Sequence, residues 1–233
     1  MSGQPRWQPA SQLRSQADIV FCIDSTGSMA PCLAGVLTGL NGLVNGLSKA
    51  GHVDARYRLI AYRDYHSHKC GVAWNIHDFV SAAEFSHQLR HVKADGGGDD
   101  PESTLDALYL ALESPWRTQR THKAIVVLTD DDTHLQLHPK TSSAPVDGID
   151  QVIQKIQTTQ HLMLFLVAPR FAAYEAIERS AHEAEHKVIA KWVPYKEEKN
   201  LGLCLVDWQP LMRMIGQIVS ATSVDMAQRY KEV

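Results

Sequence analysis

Two patterns of apolar residues alternate along most of the chain. Short continuous apolar runs, such as DIVFCI at 18–23 and KAIVVLT at 123–129, are typical of strands in a parallel sheet that is covered on both faces. Between these runs, apolar residues recur at every third or fourth position, which predicts helices. The predicted strands are 18–23, 57–62, 73–80, 123–129, 162–167 and 188–193. The predicted helices are 28–48, 84–92, 103–112, 147–158, 174–186 and 208–221.

This alternation of strands and helices predicts the fold class. An α/β chain of this kind forms a three-layer, doubly wound fold, with a mostly parallel central sheet and helices on both faces. Strands 57–62 and 73–80 are predicted to pair as an antiparallel edge across the polar loop DYHSHKCG. In such sheets ligands bind beyond the carboxyl ends of the strands. Functional residues are therefore expected where the strands end.

The length and composition predict a single folded domain. Residues 1–16 are polar and contain proline, and we interpret them as an N-terminal arm that packs back along the domain through Trp7. Residues 17–233 contain no linker-like stretch and are expected to form one domain. Hydrophobic residues make up 44% and charged residues 21% of the chain, which are values of an ordinary globular protein with a buried core.

Charge, cysteines and hydropathy each exclude a class of protein. The net charge of -3 is spread along the chain without a basic block, which argues against binding to nucleic acid or to an anionic membrane. The four cysteines form no CxxC pair, so neither a disulfide framework nor a zinc ribbon is indicated. We find no export signal and expect no window with the roughly 18 apolar residues of a membrane span. A cytoplasmic location is the resulting expectation.

Two predicted strands deliver an aspartate at their carboxyl ends. Asp24 follows the strand IVFCI, and Asp130 follows KAIVVLT. If the two strands are parallel neighbours, both carboxylates lie within reach of one ion. Thr26 and Ser28 follow Asp24 at alternate positions of the turn. Hydroxyl and carboxylate oxygens are ligands that suit Mg²⁺, which binds six oxygens and keeps some waters.

The pattern Asp24-x-Thr26-x-Ser28, followed by a glycine-rich loop and by LTD at the end of a central strand, resembles the von Willebrand factor A domain family. In that family these residues form a metal-ion-dependent adhesion site. The resemblance implies that Thr26 and Ser28 bind the metal through their hydroxyls, and that Asp24 and Asp130 act largely through water. It also implies that an acidic side chain of a protein partner completes the octahedron. The expected metal is Mg²⁺, with Mn²⁺ and Ca²⁺ as alternatives.

The third loop, GGGDDPE at 96–102, departs from the common family pattern, which has a threonine after two glycines. It resembles the subgroup of A domains found with alpha-type kinases and in bacterial tellurite and stress-response proteins. We expect Asp99 to be the ligand from this loop. Asp100 is the alternative ligand, but its position before Pro101 favours a helix N-cap. A site with Asp24, Asp99 and Asp130 stays net negative with a divalent cation bound, which should weaken its attraction for a partner's acid.

A second motif supports a different class of function. The segment HEAEH at 182–186 matches the zinc metalloprotease pattern H-E-x-x-H, in which His182 and His186 would bind zinc and Glu183 would act as general base. No third ligand follows at the spacing that this class uses, so a charged amphipathic helix explains the segment better. The loop residues Ser25, Asp131 and Asp132 are interpreted as solvated.

The functional prediction is a metal-dependent protein-interaction module. No nucleophile and base are paired in the sequence, so we do not predict an enzyme. From the subgroup resemblance we expect a bacterial adaptor whose partner presents Asp or Glu and belongs to a kinase- or phosphatase-linked stress response. Substitutions distinguish the two hypotheses. Asp24→Ala and Ser28→Ala should abolish divalent-metal binding and partner capture if the adhesion site is present, whereas His182→Ala should remove a stoichiometric zinc if the chain is a metalloprotease.

Overall fold

A six-stranded sheet forms the centre of the described chain. The computed structural model describes residues 15–65, 74–96, 101–117, 121–142, 148–180, 187–195 and 202–229. The strands are β1 Ser15–Asp24, β2 Val53–Tyr62, β3 Asn75–Ile76, β4 Thr121–Leu128, β5 Leu162–Pro169 and β6 Lys187–Val193. Their order across the sheet is β3-β2-β1-β4-β5-β6. All neighbours are parallel except β2 and β3, which are antiparallel.

The helices cover both faces of the sheet, as the sequence predicts for a three-layer fold. They are α1 Ala30–Ala50, α2 Ala82–Leu89, α3 Thr104–Leu112, α4 Gly148–Thr158, α5 Ala172–Ser180 and α6 Trp208–Arg229. Ile19, Phe21 and Ile23 of β1 pack into a core with α1, α2 and α6. The alternate residues Val20 and Cys22 pack into a second core with α3, α4 and α5. Strand β1 is therefore apolar on both faces, which explains its continuous apolar run.

The predicted antiparallel edge exists but is shorter than expected. Of the described residues in the predicted strand, Asn75 and Ile76 pair with β2 in a ladder, and a separate antiparallel bridge joins Tyr57 to Val80. Residues 75–80 lie at the sheet edge and are all at least partly exposed, so less apolar burial holds them in register. Residues 66–73, with the rest of the predicted strand and loop, lie outside the described residues.

The start of α3 differs from the prediction that Asp100 caps it. The helix begins at Thr104, with Ser103 at the N-cap position and without a side-chain cap from that residue. Instead, the Leu105 amide donates to Thr133 Oγ1 at 2.8 Å. A residue 28 positions away thus satisfies one of the amides that a helix leaves free at its N-terminus. Asp100 itself lies outside the described residues.

One helical stretch, 27–50, has the length and apolar composition of a membrane span, with a mean hydropathy of 1.3. The expectation that no window approaches such a span is therefore wrong for α1. Core helices of folded domains pass the same test, and eight residues of α1 are buried. The apolar composition of α1 is accounted for by its packing between the sheet and α6.

Candidate metal centre

The carboxylate of Asp24 lies at the carboxyl end of the central strand β1 and is fully buried. One oxygen, Oδ1, accepts from the amide of Thr26 at 2.9 Å and from its hydroxyl at 2.7 Å. The other oxygen, Oδ2, accepts from the Thr129 hydroxyl at 3.0 Å. These three hydrogen bonds hold the carboxylate in one orientation and hold the following turn against it.

The Thr26 and Ser28 hydroxyls form the centre of the site. Their oxygens lie 3.0 Å apart. The Thr26 hydroxyl donates its single proton to Asp24, and the Ser28 hydroxyl donates its proton to Asp130 Oδ1 at 3.0 Å. No proton remains for the contact between the two hydroxyls when both carboxylates are ionised. Their lone pairs therefore face each other, which is an arrangement that a bridging cation stabilises.

This geometry fits the magnesium ion that the sequence predicts. Ligand oxygens on neighbouring corners of a Mg²⁺ octahedron lie about 2.9 Å apart, because each metal–oxygen bond is about 2.1 Å long. The Thr26 and Ser28 oxygens already have this separation. Among the residues that the structure describes, no group of three or more His, Cys, Asp or Glu is arranged to hold a metal.

Loop contacts position the hydroxyl-bearing turn. The Gly27 amide donates to the Gly96 carbonyl at 2.8 Å, and the Asp95 amide donates to the Ser25 carbonyl at 3.0 Å. A Cβ at Gly27 would lie 3.0 Å from the Gly96 oxygen, so a side chain there would push the loops apart. Gly96 has a φ of 72°, which favours glycine. The third loop therefore starts directly beside Thr26 and Ser28.

The structure brings Asp24, Thr26, Ser28 and Asp130 together, as the sequence predicts. Asp99 lies outside the described residues, and its role as third-loop ligand stays a prediction. The parallel pairing of β1 with β4 explains why residues more than 100 positions apart meet. Both strands end at the same edge of the sheet, so the residues that follow them share one site.

Sequence reasoning missed Glu102, which ends the same glycine-rich loop. Its side chain is only 4% exposed, and Oε2 has no hydrogen-bond partner among the described residues. Burial, together with the nearby charges of Asp24, Asp64, Asp131 and Asp130, raises the pKa of Glu102 to about 9. A buried carboxyl without a full set of partners, close to the Asp24 and Asp130 charges, is a candidate cation ligand.

Backbone hydrogen bonds hold Glu102 against the loop that follows β4. Its amide donates to the Asp132 carbonyl at 3.0 Å, and its carbonyl accepts from the His134 amide at 3.0 Å. These bonds form a short parallel bridge between Glu102 and Thr133. The loop before α3 is thereby fixed against the loop after β4. In the sequence, the signal for Glu102 is an acidic side chain at the end of the glycine-rich loop, three positions after Asp99.

The acidic side chains of the site repel one another. Burial raises the pKa of Asp24 to about 6, and the charge of Asp130 acts in the same direction. Hydrogen bonds from Thr26 and Thr129 oppose this rise. A bound cation would remove the repulsion and favour the ionised carboxylates.

The interpretation of Ser25 and Asp131 as solvated loop residues is wrong. Ser25 is buried and its hydroxyl donates to the Tyr62 carbonyl at 2.7 Å. Asp131 is buried, and its carbonyl accepts from the Tyr174 hydroxyl at 2.9 Å. Asp132 is partly buried. Ser25 thus joins the end of β1 to the end of β2, and Asp131 joins the segment after β4 to α5.

A chain of hydroxyls supports the site from the side of α3. The Tyr62 hydroxyl lies 2.8 Å from Thr104 Oγ1, and Thr104 donates to Thr129 at 3.4 Å. Thr129 then donates to Asp24. Thr104, the first residue of α3, therefore supports the Asp24 carboxylate through Thr129.

The fold and this strand-end site define the protein as an α/β domain with a candidate cation centre at the carboxyl edge of its sheet. Residues 18–192 match the family model of the von Willebrand factor A domain. The chain therefore belongs to the von Willebrand factor A domain family, whose members generally mediate protein–protein interactions. No curated protein sequence is significantly similar to the chain.

Solved structures show the same fold at low sequence identity. The PilB minor pilin from Streptococcus sanguinis has a TM-score of 0.60 at 10% identity, over 92% of this chain and 64% of the pilin. A von Willebrand factor type A protein from Catenulispora acidiphila has a TM-score of 0.54 at 13% identity, over 90% of this chain and 43% of that protein. The SpRpn10 VWA domain has a TM-score of 0.51 at 10% identity, over 81% of this chain and 92% of that domain.

Proposed function

We propose that this chain is a metal-dependent protein-interaction module. A divalent cation, Mg²⁺ by the character of its donors, is held by the hydroxyls of Thr26 and Ser28. An acid from the third loop, Glu102 or Asp99, supplies a charged oxygen, and Asp24 and Asp130 act through water. When bound, the cation offers an open coordination position to an Asp or Glu side chain of a protein partner.

The observation that carries this proposal is the pair of hydroxyl oxygens 3.0 Å apart, each of which gives its proton to a carboxylate. Asp24 and Asp130 draw the two protons away from the space between the oxygens. Asp24 is itself fixed by Thr26 and Thr129, so the hydroxyls are oriented before any ion arrives. Such preorganisation lowers the free-energy cost of binding.

The negative charge of the site favours binding of the cation but opposes binding of the partner's acidic side chain. Asp24, Asp130 and Glu102 provide three carboxyls, which exceed the charge of one divalent ion. Their repulsion is relieved when a cation binds, while the remaining negative charge opposes a partner's acid. We therefore expect the metal to bind more tightly than an isolated acidic peptide, and partner recognition to need further contacts.

Calorimetric titration with Mg²⁺ alone tests the proposal. The wild-type chain should bind one equivalent, and Ser28→Ala should weaken binding at least tenfold because one donor is lost. Ser25→Ala is the matched control, since this neighbouring hydroxyl donates to the Tyr62 carbonyl and not to an acid of the site. Equal Mg²⁺ affinity in the wild type and Ser28→Ala would overturn the metal site.

Co-purification from the native host, with and without chelator, tests partner binding. A protein that is retained in Mg²⁺ and released by chelator, and that Ser28→Ala fails to retain, supports the interaction module. A partner that is retained both with chelator and by Ser28→Ala binds to another surface, and this result contradicts the metal-dependent mechanism.

The cellular setting follows only from the subgroup resemblance. We infer a bacterial cytoplasmic adaptor that works with a kinase or phosphatase in a stress response, as the binding component and not the enzyme. The competing metalloprotease hypothesis depends on 182–186, which lie outside the described residues. The family match and the structural neighbours give it no support.

A further inference from the structure

A deep groove runs between α1 and α6, away from the candidate metal centre. Its volume is about 750 Å³. Leu43 and Leu47 of α1 and Met212 and Val224 of α6 contribute apolar side chains to its walls. This volume lies within the range of about 300 to 1,000 Å³ in which proteins bind drug-sized groups. The groove is therefore large enough for a bulky side chain and several residues of extended chain.

Two pairs of glycines on α1 have different surroundings. Gly35 and Gly39 lie under Trp208, whose side-chain atoms come within 2.9 and 3.0 Å of a Cβ built at those positions. Gly42 and Gly46 line the groove, and a Cβ there meets nothing within 4 Å. Each glycine inside a helix costs about 1 kcal/mol relative to alanine. The packing of the described residues explains the first pair but leaves the second pair unexplained.

Ser15, the first residue of β1, lies at one end of this groove. The Ser15 amide donates to the His52 carbonyl at 3.2 Å. His52 lines the groove, and its Nε2 lies 2.8 Å from Ser220 Oγ on α6. Ser15, the first described residue, is thus bonded to a residue of the groove wall.

The composition and length of residues 1–14, MSGQPRWQPASQLR, suit the groove. The segment contains one large aromatic residue, Trp7, between two prolines, and it has no acidic residue. Eight residues separate Trp7 from Ser15, which is a reach of up to about 27 Å when extended. The helix rise from His52 back to Gly42 is only about 15 Å. Trp7 can therefore reach both open glycines.

We propose that residues 1–14 return along the groove between α1 and α6, and that Trp7 lies on Gly42 and Gly46 as Trp208 lies on Gly35 and Gly39. The two glycine pairs have the same spacing of four residues, so they present similar surfaces one after the other along α1. Docking would remove the Trp7 ring from water and cover the open surface at Gly42 and Gly46. The N-terminal segment then acts as a strap across the two helices.

A double-mutant cycle on the full chain tests the strap. Trp7→Ala should lower Tm by about 3 to 6 °C, since a buried aromatic contact is lost. In the background Gly42→Leu/Gly46→Leu, which fills the groove, the same Trp7→Ala change should shift Tm by less than about 1 °C. Equal shifts in both backgrounds would overturn the proposal. Asn45→Ala, at an exposed position beside Gly46, is the control for helix propensity.

Limited trypsin digestion gives a second readout that does not depend on stability. Cleavage after Arg6 and Arg14 should be several times slower in the wild type than in Gly42→Leu/Gly46→Leu, although the cleaved sequence is the same. Equal rates contradict docking. Light scattering tests whether a second copy of the chain occupies the groove instead. In that case the wild type would be a dimer, Gly42→Leu/Gly46→Leu would be a monomer, and Trp7→Ala would remain a dimer. This result would overturn the strap.

Discussion

The hydroxyl oxygens of Thr26 and Ser28 lie 3.0 Å apart, and each hydroxyl donates to a different aspartate. The two aspartates come from neighbouring parallel strands, Asp24 from the end of β1 and Asp130 from just beyond the end of β4. The geometry of the sheet therefore sets the orientation of the two hydroxyls. This relationship links the fold to the proposed cation site.

Two substitutions of Thr26 should distinguish the effect of its hydroxyl from the effect of its side-chain shape. Thr26→Val has nearly the same volume but no oxygen, so we expect Mg²⁺ affinity to fall at least tenfold. It should also cost about 1 to 2 kcal/mol of unfolding free energy, because Asp24 loses one buried hydrogen bond. Thr26→Ser keeps the oxygen and should retain metal binding. Calorimetry and denaturant unfolding measure the two effects, and a Val variant that binds Mg²⁺ normally would contradict the assignment.

Replacement of Glu102 should change the pH dependence of the metal-free protein. Its pKa is raised to about 9 in the folded state, so folding favours the protonated carboxyl. The metal-free protein should therefore lose stability as the pH rises from about 4.5 to 9, by at most about 1.4 kcal/mol per pH unit. Glu102→Gln removes this contribution, so its Tm with chelator should exceed that of the wild type at pH 8.5.

The same variant tests whether Glu102 is a ligand. Addition of Mg²⁺ should raise the Tm of the wild type at pH 8.5 but have a much smaller effect on Glu102→Gln. Glu113→Gln, which changes a carboxylate exposed at 52% of its side chain, should respond to Mg²⁺ like the wild type. If Glu102→Gln shows the full Mg²⁺ response, Asp99 remains as the candidate third-loop ligand.

Asp18 should stabilise the fold without affecting the metal site. Its buried carboxylate pairs with Arg56 Nη2 at 2.7 Å and Arg117 Nε at 2.8 Å, at the opposite end of β1 from Asp24. Asp18→Asn leaves two guanidinium groups without their buried counter-charge, which should cost about 3 kcal/mol of unfolding free energy. Asp54→Asn, at a half-exposed partner of Arg117, should cost less than about 1 kcal/mol. Both variants should keep wild-type Mg²⁺ affinity.

His122 should make the protein sensitive to acid. This residue is buried, and burial lowers its pKa to about 4, with His161 and Lys187 acting in the same direction. The unfolded chain takes up a proton near pH 6.5, whereas the folded chain does so only near pH 4. Stability from this group is complete above pH 6.5 and is lost as the pH falls to 4. The difference in Tm between wild type and His122→Gln should shrink over that range.

The sequence was informative where a feature depends on short-range pattern. Buried strands need continuous apolar runs, so β1 and β4 and the acids that follow them could be predicted. The turn Asp24-x-Thr26-x-Ser28 is local, and its hydrogen bonds form between residues two positions apart. The third loop could not be predicted in this way. The structure has Ser103, and not the predicted Asp100, at the N-cap position of α3, and the Leu105 amide donates to Thr133 of another loop.

By itself, the sequence determined the α/β class, the three layers, and four of the oxygen-bearing residues that meet at the strand ends. Only the tertiary structure showed that Glu102 is buried beside the loop after β4, since its position depends on the bridge between Glu102 and Thr133. Only the structure showed that Gly42 and Gly46 face open space while Gly35 and Gly39 do not. Apolar periodicity follows from burial along one element, whereas these features depend on contacts between elements far apart in the chain.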